Sequence, residues 1–208
     1  MVKKTVEFTH LDFENYTRVE HGYFLIPRPD DRYRNLPDIY DRVCSVIHFA
    51  SKIGVKSDNG SIDNSALSEA MTRAALNEFI ALDDFITKTY GQRLWLNEHL
   101  ITDPIFHMLK LLRNYNVHVN SSKIDSQSMQ VTFLFDPENE HTIDKFFISN
   151  LTVDGLSRLD NVHRYHSLLP EMIKVFDEQQ HAFGIDHLLI KCTLNHMECL
   201  DVLLQKTL

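Results

Sequence analysis

The feature that most constrains the fold of this chain is a long helical pattern over residues 63–90, which Gly91 ends. Neither proline nor glycine interrupts this stretch. Apolar side chains recur along it at the spacing of helical turns. The pattern predicts one buried face, formed by Leu67, Met71, Ala74, Leu82 and Phe85. Several alanines along the same helix would let a neighbouring helix approach closely.

One charged residue, Glu78, lies in the middle of that predicted face. A buried carboxylate costs free energy unless a cation or a hydrogen-bond donor pairs with it. Two interpretations follow. Either Glu78 pairs inside the protein with Arg113 or His118, or the helix is rotated so that Glu78 lies at the edge of the face, in solvent.

Residues 102–120 predict a further helix, on which the candidate site is placed. Thr102 or Asp103 can cap its start, and Pro104 suits the first turn because the first N–H groups of a helix have no partner within it. An apolar stripe would face the core, formed by Ile105, Met108, Leu109, Leu112 and Tyr115.

The other side of this helix is polar near its C-terminal end. At about 100° per residue, His107, Asn114 and His118 fall within one narrow sector. Arg113 lies beside that sector. A cation, an amide and an imidazole in this arrangement make a candidate surface for binding phosphate.

The remaining elements complete a mainly α fold. Helices are predicted over residues 37–54, 167–182 and 185–206. Two β-rich stretches on either side of the turn residues 136–139 predict a β-hairpin, inserted at about residues 128–153. An irregular N-terminal segment, residues 1–35, carries a short strand near residues 6–8. Residues 1–208 are therefore expected to form a single domain, a helical bundle with an inserted β-hairpin.

Composition limits the function. The net charge of −8 argues against a protein that coats nucleic acid non-specifically, because neutralising phosphates needs lysine and arginine. An odd number of cysteines, 3, argues against a disulfide framework and favours a reducing, cytoplasmic compartment. The N-terminus lacks the apolar segment of a signal peptide. No apolar run approaches the length of a membrane span, so no membrane association is expected.

The spacing Arg-x4-His at Arg113–His118 is not specific by itself, since Arg158–His163 repeats it. Its context is more informative: it follows an apolar helical run, lies near the helix end and has Asn114 directly after the arginine. This arrangement resembles the signature of the HEPN superfamily, small helical-bundle proteins of which many are RNases in toxin–antitoxin, phage-defence and RNA-processing systems. The order of predicted helices is similar to the plan of that family.

The resemblance implies a metal-independent endoribonuclease that acts as a homodimer, with a composite site between two motif helices and no cofactor or metal. Arg113 would stabilise the phosphorane, His118 would transfer protons and Asn114 would orient them. His107 and Asn120 are candidate substrate contacts, and Glu78 would support the site from behind. In members paired with nucleotidyltransferase antitoxins a tyrosine stands where this chain has Asn120, so regulation through that tyrosine is not expected.

RNA is the expected substrate, and an antitoxin or another protein is a further expected partner. The alternative is a catalytically inactive HEPN-like module that binds nucleic acid or a protein. The chemistry of the two side chains supports an active endoribonuclease, because histidine exchanges protons near neutral pH and arginine binds phosphate oxygens with two parallel donors. Positions i and i+5 of a straight helix lie about 140° apart. Either the helix frays after Tyr115, or the cleft forms between chains.

A rival site is Cys192-x3-His196-x2-Cys199, whose members share a helical face and could bind a metal ion as thiolate, imidazole and thiolate. The competing interpretation is that the cysteines are core residues, since cysteine is among the most buried residue types. The sequence contains no phosphate-binding glycine loop, nucleophile elbow or HExxH motif.

Overall fold

The computed structural model describes residues 8, 10–57, 63–90, 101–160, 162–165 and 167–199. Its elements are a short 3-10 helix Asp31–Asn35, α1 Pro37–Ala50, α2 Asn64–Tyr90, α3 Pro104–His118, strands β1 Ile124–Phe133 and β2 Asp136–Ile148, α4 Val153–Leu156, a 3-10 turn Val162–Tyr165, α5 Leu169–Phe183 and α6 Ile185–Cys199. The fold is mainly helical with one antiparallel hairpin, as predicted. The end of the predicted helix 185–206, from residue 200 on, lies outside the described residues, as does most of the predicted strand 6–8.

Helix α3 lies at the centre of the fold. It packs between α2 and α5, while α1 packs against α2 and α6. All five residues of its predicted stripe are buried. Leu111 is also buried, at 1% exposure, so burial extends beyond one stripe. None of the helices in the described part of the chain is long and apolar enough to cross a membrane.

Of the predicted buried face of α2, only Leu82 is confirmed, and the rest of the prediction is wrong. Leu67, Met71, Ala74 and Phe85 are only half-buried, and the buried side lies next to them, formed by Ser68, Thr72, Ala75, Leu76, Phe79, Ile80, Leu82, Asp83 and Ile86. In this orientation of the helix two hydroxyl groups are buried, and both form hydrogen bonds within the helix. Ser68 donates to the carbonyl of Asn64, and Thr72 donates to the carbonyl of Ser68. Buried hydroxyls that bond to their own helix leave no unsatisfied polar group.

The rotation also determines the position of Glu78. It lies at the edge of the buried face, with 34% of its side chain exposed, and its carboxylate forms an ion pair with Arg42 of α1 at 3.5 Å. Of the two interpretations drawn from the sequence, the structure therefore matches the edge position. The expected pairing of Glu78 with Arg113 or His118 is replaced by the pairing with Arg42.

The hairpin is present, but its turn is not where the turn-forming residues predict it. The chain reverses at Leu134 and Phe135, ahead of residues 136–139. The rings of Phe133 and Phe135 are stacked with their centroids 5.1 Å apart, and Phe24 packs against both rings. This aromatic cluster stabilises the tip of the hairpin. The strands accordingly run over 124–133 and 136–148 rather than ending near residue 153.

The residues of the predicted turn form an irregularity inside β2 instead. Thr132 pairs with Glu140 but Phe133 pairs with Asp136, so residues 137–139 are extra on that strand. The carboxylate of Asp136 accepts hydrogen bonds from Asn139 Nδ2 at 2.7 Å and His141 Nε2 at 2.8 Å. The turn-forming residues 136–139 therefore do form a local turn, but it is a bulge within β2 and does not connect the two strands.

A buried amide side chain attaches the hairpin to the bundle. Gln180 of α5 is fully buried; its Oε1 accepts from the N–H of Ile148 at 2.9 Å and its Nε2 donates to the carbonyl of Ile148 at 3.1 Å. This amide serves as a short substitute for a third strand. Strand β2 packs on α5 and α6, and β1 packs on α2.

We expect Gln180→Leu to lower the free energy of unfolding by about 3 kcal/mol, because it leaves the buried N–H and carbonyl of Ile148 without these bonds. Urea denaturation measures the change. Gln127→Leu, at an exposed position of β1, is the matched control. A Gln180→Leu protein within about 0.5 kcal/mol of the wild type would show that the hairpin does not depend on this amide.

Candidate active site

A polar groove lies at the C-terminal end of α3. Its volume is about 380 Å³, and it is lined by Asn114, His118, Val119, Arg158, Leu159 and Asp160. We call it the His118 groove. One wall is the last turn of α3, and the other is the segment that follows α4. Two of the predicted catalytic residues, Asn114 and His118, therefore share one open site.

The N-terminal end of α3 is fixed by its cap. Asp103 accepts a hydrogen bond from the N–H of Ile105 at 2.9 Å, and Pro104 occupies the first turn, as predicted. The same carboxylate accepts from the N–H of Thr17 at 2.9 Å and its hydroxyl at 2.7 Å. Burial raises the pKa of Asp103, although these hydrogen bonds oppose the rise. The cap thereby ties the N-terminal segment to the helix that carries the groove.

Side-chain amides also determine where the second wall lies. Asn116 accepts from the N–H of Ser122 at 2.7 Å and donates to its hydroxyl at 2.9 Å. Asn150 accepts from the N–H of Lys123 at 2.9 Å and donates to the carbonyl of Ser121 at 3.0 Å. Because these bonds close the base of the hairpin, the chain returns to the end of α3 immediately before α4.

The last part of the second wall is anchored by buried leucines. The hydroxyl of Thr152 caps α4 by accepting from the N–H of Gly155 at 3.1 Å. Leu156 and Leu159 are buried on either side of Arg158, which is exposed. Arg158 is thus presented to the groove by a segment that is fixed before and after it.

Arg113 does not line the His118 groove. Its Nη1 donates to the side-chain oxygen of Asn114 at 3.0 Å. Its Nε is buried and has no hydrogen-bond acceptor among the residues that the structure describes. The helix continues to His118 without fraying, so the large angular separation expected for positions 113 and 118 is retained. Arg113 reaches the groove through Asn114.

The two expected substrate contacts differ in exposure. His107 is buried, at 3% exposure; its Nδ1 lies 2.7 Å from the hydroxyl of Tyr165 and its Nε2 lies 2.9 Å from the carbonyl of Ile101. A carbonyl only accepts, so Nε2 carries the proton and Nδ1 accepts from the tyrosine. His107 therefore links the N-terminal end of α3 to Tyr165 and Ile101 through hydrogen bonds within the core. Asn120 is exposed, and its side-chain oxygen accepts from the N–H of Ser121 at 2.8 Å.

Two groove residues, Arg158 and Asp160, were missed by the sequence reasoning. The one signal in the sequence is the repeated Arg-x4-His spacing at Arg158–His163, which is not specific by itself. His163 is exposed and its Nδ1 bonds to the carbonyl of Asp160. No local pattern places this segment beside His118, because the hairpin separates them in sequence.

The rival metal site is only partly described. Cys192 and His196 are both buried in α6, and the side chain of Cys199 lies outside the described residues. Burial raises the pKa of the Cys192 thiol well above its usual range, which disfavours the thiolate that metals bind. Within the described part of the chain, no three His, Cys, Asp or Glu side chains are grouped closely enough to hold a metal ion.

Burial also lowers the pKa of His196 well below its usual range. Below a pH of about 6.5, His196 therefore binds a proton in the unfolded chain but stays neutral in the folded protein. The free energy of unfolding consequently falls as the pH falls. We expect His196→Leu to flatten the decrease in unfolding free energy between pH 7 and pH 5, by at most about 1.4 kcal/mol per pH unit. Urea denaturation at each pH measures it.

The exposed histidine of α1, His48, provides the control for that experiment. His48→Asn should retain the wild-type slope. Equal slopes in the wild type and His196→Leu would contradict a neutral, buried His196.

Comparison with known proteins adds no family to this geometry. No protein-family model matches the chain, and no curated protein and no solved structure matches it either. The resemblance to HEPN proteins therefore stays a prediction from the motif and the order of the helices.

Proposed function

We propose that this chain is a metal-independent endoribonuclease of HEPN type. The observation that supports the proposal best is that an exposed imidazole, His118, shares a groove with the amide of Asn114 and the guanidinium of Arg158. These are the groups that phosphodiester cleavage by an internal hydroxyl requires: a group that exchanges protons, a group that orients and a cation for the phosphate.

The proposed reaction needs no outside nucleophile. The ribose 2′-oxygen attacks phosphorus while its proton passes to His118, and the bond from phosphorus to the 5′-oxygen breaks. The 5′-oxygen takes a proton from a second acid, which leaves a 2′,3′-cyclic phosphate and a free 5′-hydroxyl. Histidine suits both proton transfers, because it changes charge near neutral pH. Asn114, held by Arg113, orients the reacting groups.

A homodimer would provide the second acid. Among the described residues that line the His118 groove, His118 is the one imidazole. If two α3 helices meet across a two-fold axis, His118 of a second protomer can protonate the leaving oxygen. The exposed Val117, with 51% of its surface accessible, lies beside His118 and would be covered by such a contact.

The second candidate function is binding without cleavage. Asp160 lines the same groove, and the chain carries a net charge of −8. A carboxylate in the groove opposes the negative charge that builds up on the phosphate during cleavage, which favours a catalytically inactive module that binds nucleic acid or a protein partner. A role in RNA processing, defence or toxin–antitoxin control, with an antitoxin as partner, belongs to the proposal through the resemblance. So does a cytoplasmic location, where the thiols of Cys44 and Cys192 would stay reduced.

We expect purified protein to cleave single-stranded RNA in the presence of EDTA and to leave 2′,3′-cyclic phosphate ends. His118→Asn should slow cleavage by about 100-fold or more, because it removes the proton-transfer group. Gel analysis of labelled RNA, with mass spectrometry of the new ends, measures both.

The matched control is His48→Asn on α1, which should cleave at the wild-type rate. RNA that is bound but left intact by the wild type would favour the binding module. Activity that EDTA abolishes would count against a metal-independent reaction.

We also expect light scattering to give a mass near twice 24.3 kDa. Val117→Asp should shift the protein toward the monomer and reduce cleavage together, because it places a charge inside the proposed contact. A wild type that cleaves RNA fully as a monomer would rule out the composite site.

A further inference from the structure

We propose that Arg158 is the side chain that contacts the phosphodiester, and that Arg113 of the Arg-x4-His motif is a positioning residue that acts through Asn114. The identity of the ligand as RNA rests on the proposed function. The assignment of the two arginines rests on their contacts and positions.

Arg113 is poorly placed to bind a phosphate from the groove. Its side chain is half-buried, and one terminal nitrogen is committed to the oxygen of Asn114 at 3.0 Å. Its Nε faces the interior of the described protein and is closed to solvent. An arginine binds phosphate best with two parallel donors, and one side of this guanidinium is already turned inward. What it does provide is a fixed orientation for the amide of Asn114, whose nitrogen is thereby left as the donor.

Arg158 has the opposite properties. It is exposed, it lines the His118 groove, and among the described residues its guanidinium has no hydrogen-bond or ion-pair partner. The backbone that carries it is anchored by the buried Leu156 and Leu159. A fixed backbone with an unengaged guanidinium can bind an incoming anion without first breaking a contact. Arg158 therefore supplies the cation that His118 and Asn114 lack on their own wall.

Asp160 lies in the same groove but does not neutralise Arg158 by a direct ion pair within the described structure. Its carboxylate should repel a phosphate held by Arg158. The two residues therefore have opposite effects on anion binding, which provides an internal check. Loss of the arginine should weaken binding, and loss of the carboxylate should strengthen it.

The test uses the full chain and two RNA probes that cannot be cleaved, hexamers of 2′-O-methyluridine and of 2′-O-methyladenosine. Binding is measured by fluorescence anisotropy between 50 and 200 mM KCl. NMR signals of the His118 ring report whether the probe occupies the groove. The variants are Arg158→Gln, Arg113→Gln and Asp160→Asn, with Arg34→Gln as the control, since Arg34 is an exposed arginine that pairs with Asp31 away from the groove.

We expect Arg158→Gln to weaken binding about tenfold, and Asp160→Asn to strengthen it about threefold. Arg158→Gln should also reduce the slope of log K against log salt by about 0.7, the value for one phosphate contact on a single strand. Arg113→Gln should keep that slope and shift the side-chain amide signal of Asn114, because its contact is with the amide. Arg34→Gln should bind as the wild type does.

Three results would overturn the assignment. The first is an Arg158→Gln protein with the affinity and salt slope of the Arg34→Gln control. The second is an Arg113→Gln protein that loses the salt slope while its Asn114 signal stays unchanged. The third is a wild type whose His118 signals do not respond to either probe. Probe binding with these variant effects, but with no cleavage of ordinary RNA, would overturn the endoribonuclease and leave the assignment of Arg158 standing.

Discussion

The candidate site depends on the closure of the hairpin base by two asparagine side chains. An isolated two-stranded hairpin is marginally stable in water, and this hairpin belongs to no larger sheet in the described structure. Asn116 precedes the hairpin and Asn150 follows it, and both form hydrogen bonds with the backbone of residues 121–123. Gln180 forms hydrogen bonds with Ile148 at the end of β2. The chain can therefore leave α3, form a long excursion and return to the same place. It is this return of the chain that brings Arg158 to the groove beside His118.

The long helices and the hairpin could be predicted because each has a local cause, whereas the short α4 and the two 3-10 segments were not predicted. Periodic apolar residues, the Asp103–Pro104 start and the run of β-formers determine them almost without tertiary information. The face of α2 could not be predicted in the same way, because hydropathy treats Ser68 and Thr72 as surface residues. Inside a helix their hydroxyls bond to the preceding turn, so they can be buried at little cost. The turn at Leu134 was hidden for a similar reason, since three phenylalanine rings hold it and turn chemistry does not.

For the site, the sequence could provide one wall and not the other. Asn114 and His118 are four residues apart on one helix, so their convergence follows from helical geometry alone. The angular argument also separates Arg113 from His118 correctly. Arg158 joins them only through the hairpin base, a contact between segments far apart in sequence. The buried His107 was grouped with the polar face because periodicity cannot tell a satisfied interior histidine from a solvent-facing one.

The two arginines illustrate why one guanidinium cannot easily both build a site and bind its ligand. A guanidinium has five N–H donors in a rigid plane, so donors turned inward to hold a neighbour are no longer directed at solvent. Arg113 has this inward orientation, and in exchange the amide of Asn114 is fixed. A cation for the ligand must then come from elsewhere, and the segment after α4 provides one that is exposed and unengaged among the described residues. The acidic charge of the whole chain is no obstacle to this arrangement, because screening in salt limits distant charges to a range of about 8–10 Å. The local pair of Arg158 and Asp160 therefore influences an incoming phosphate more than the net charge does.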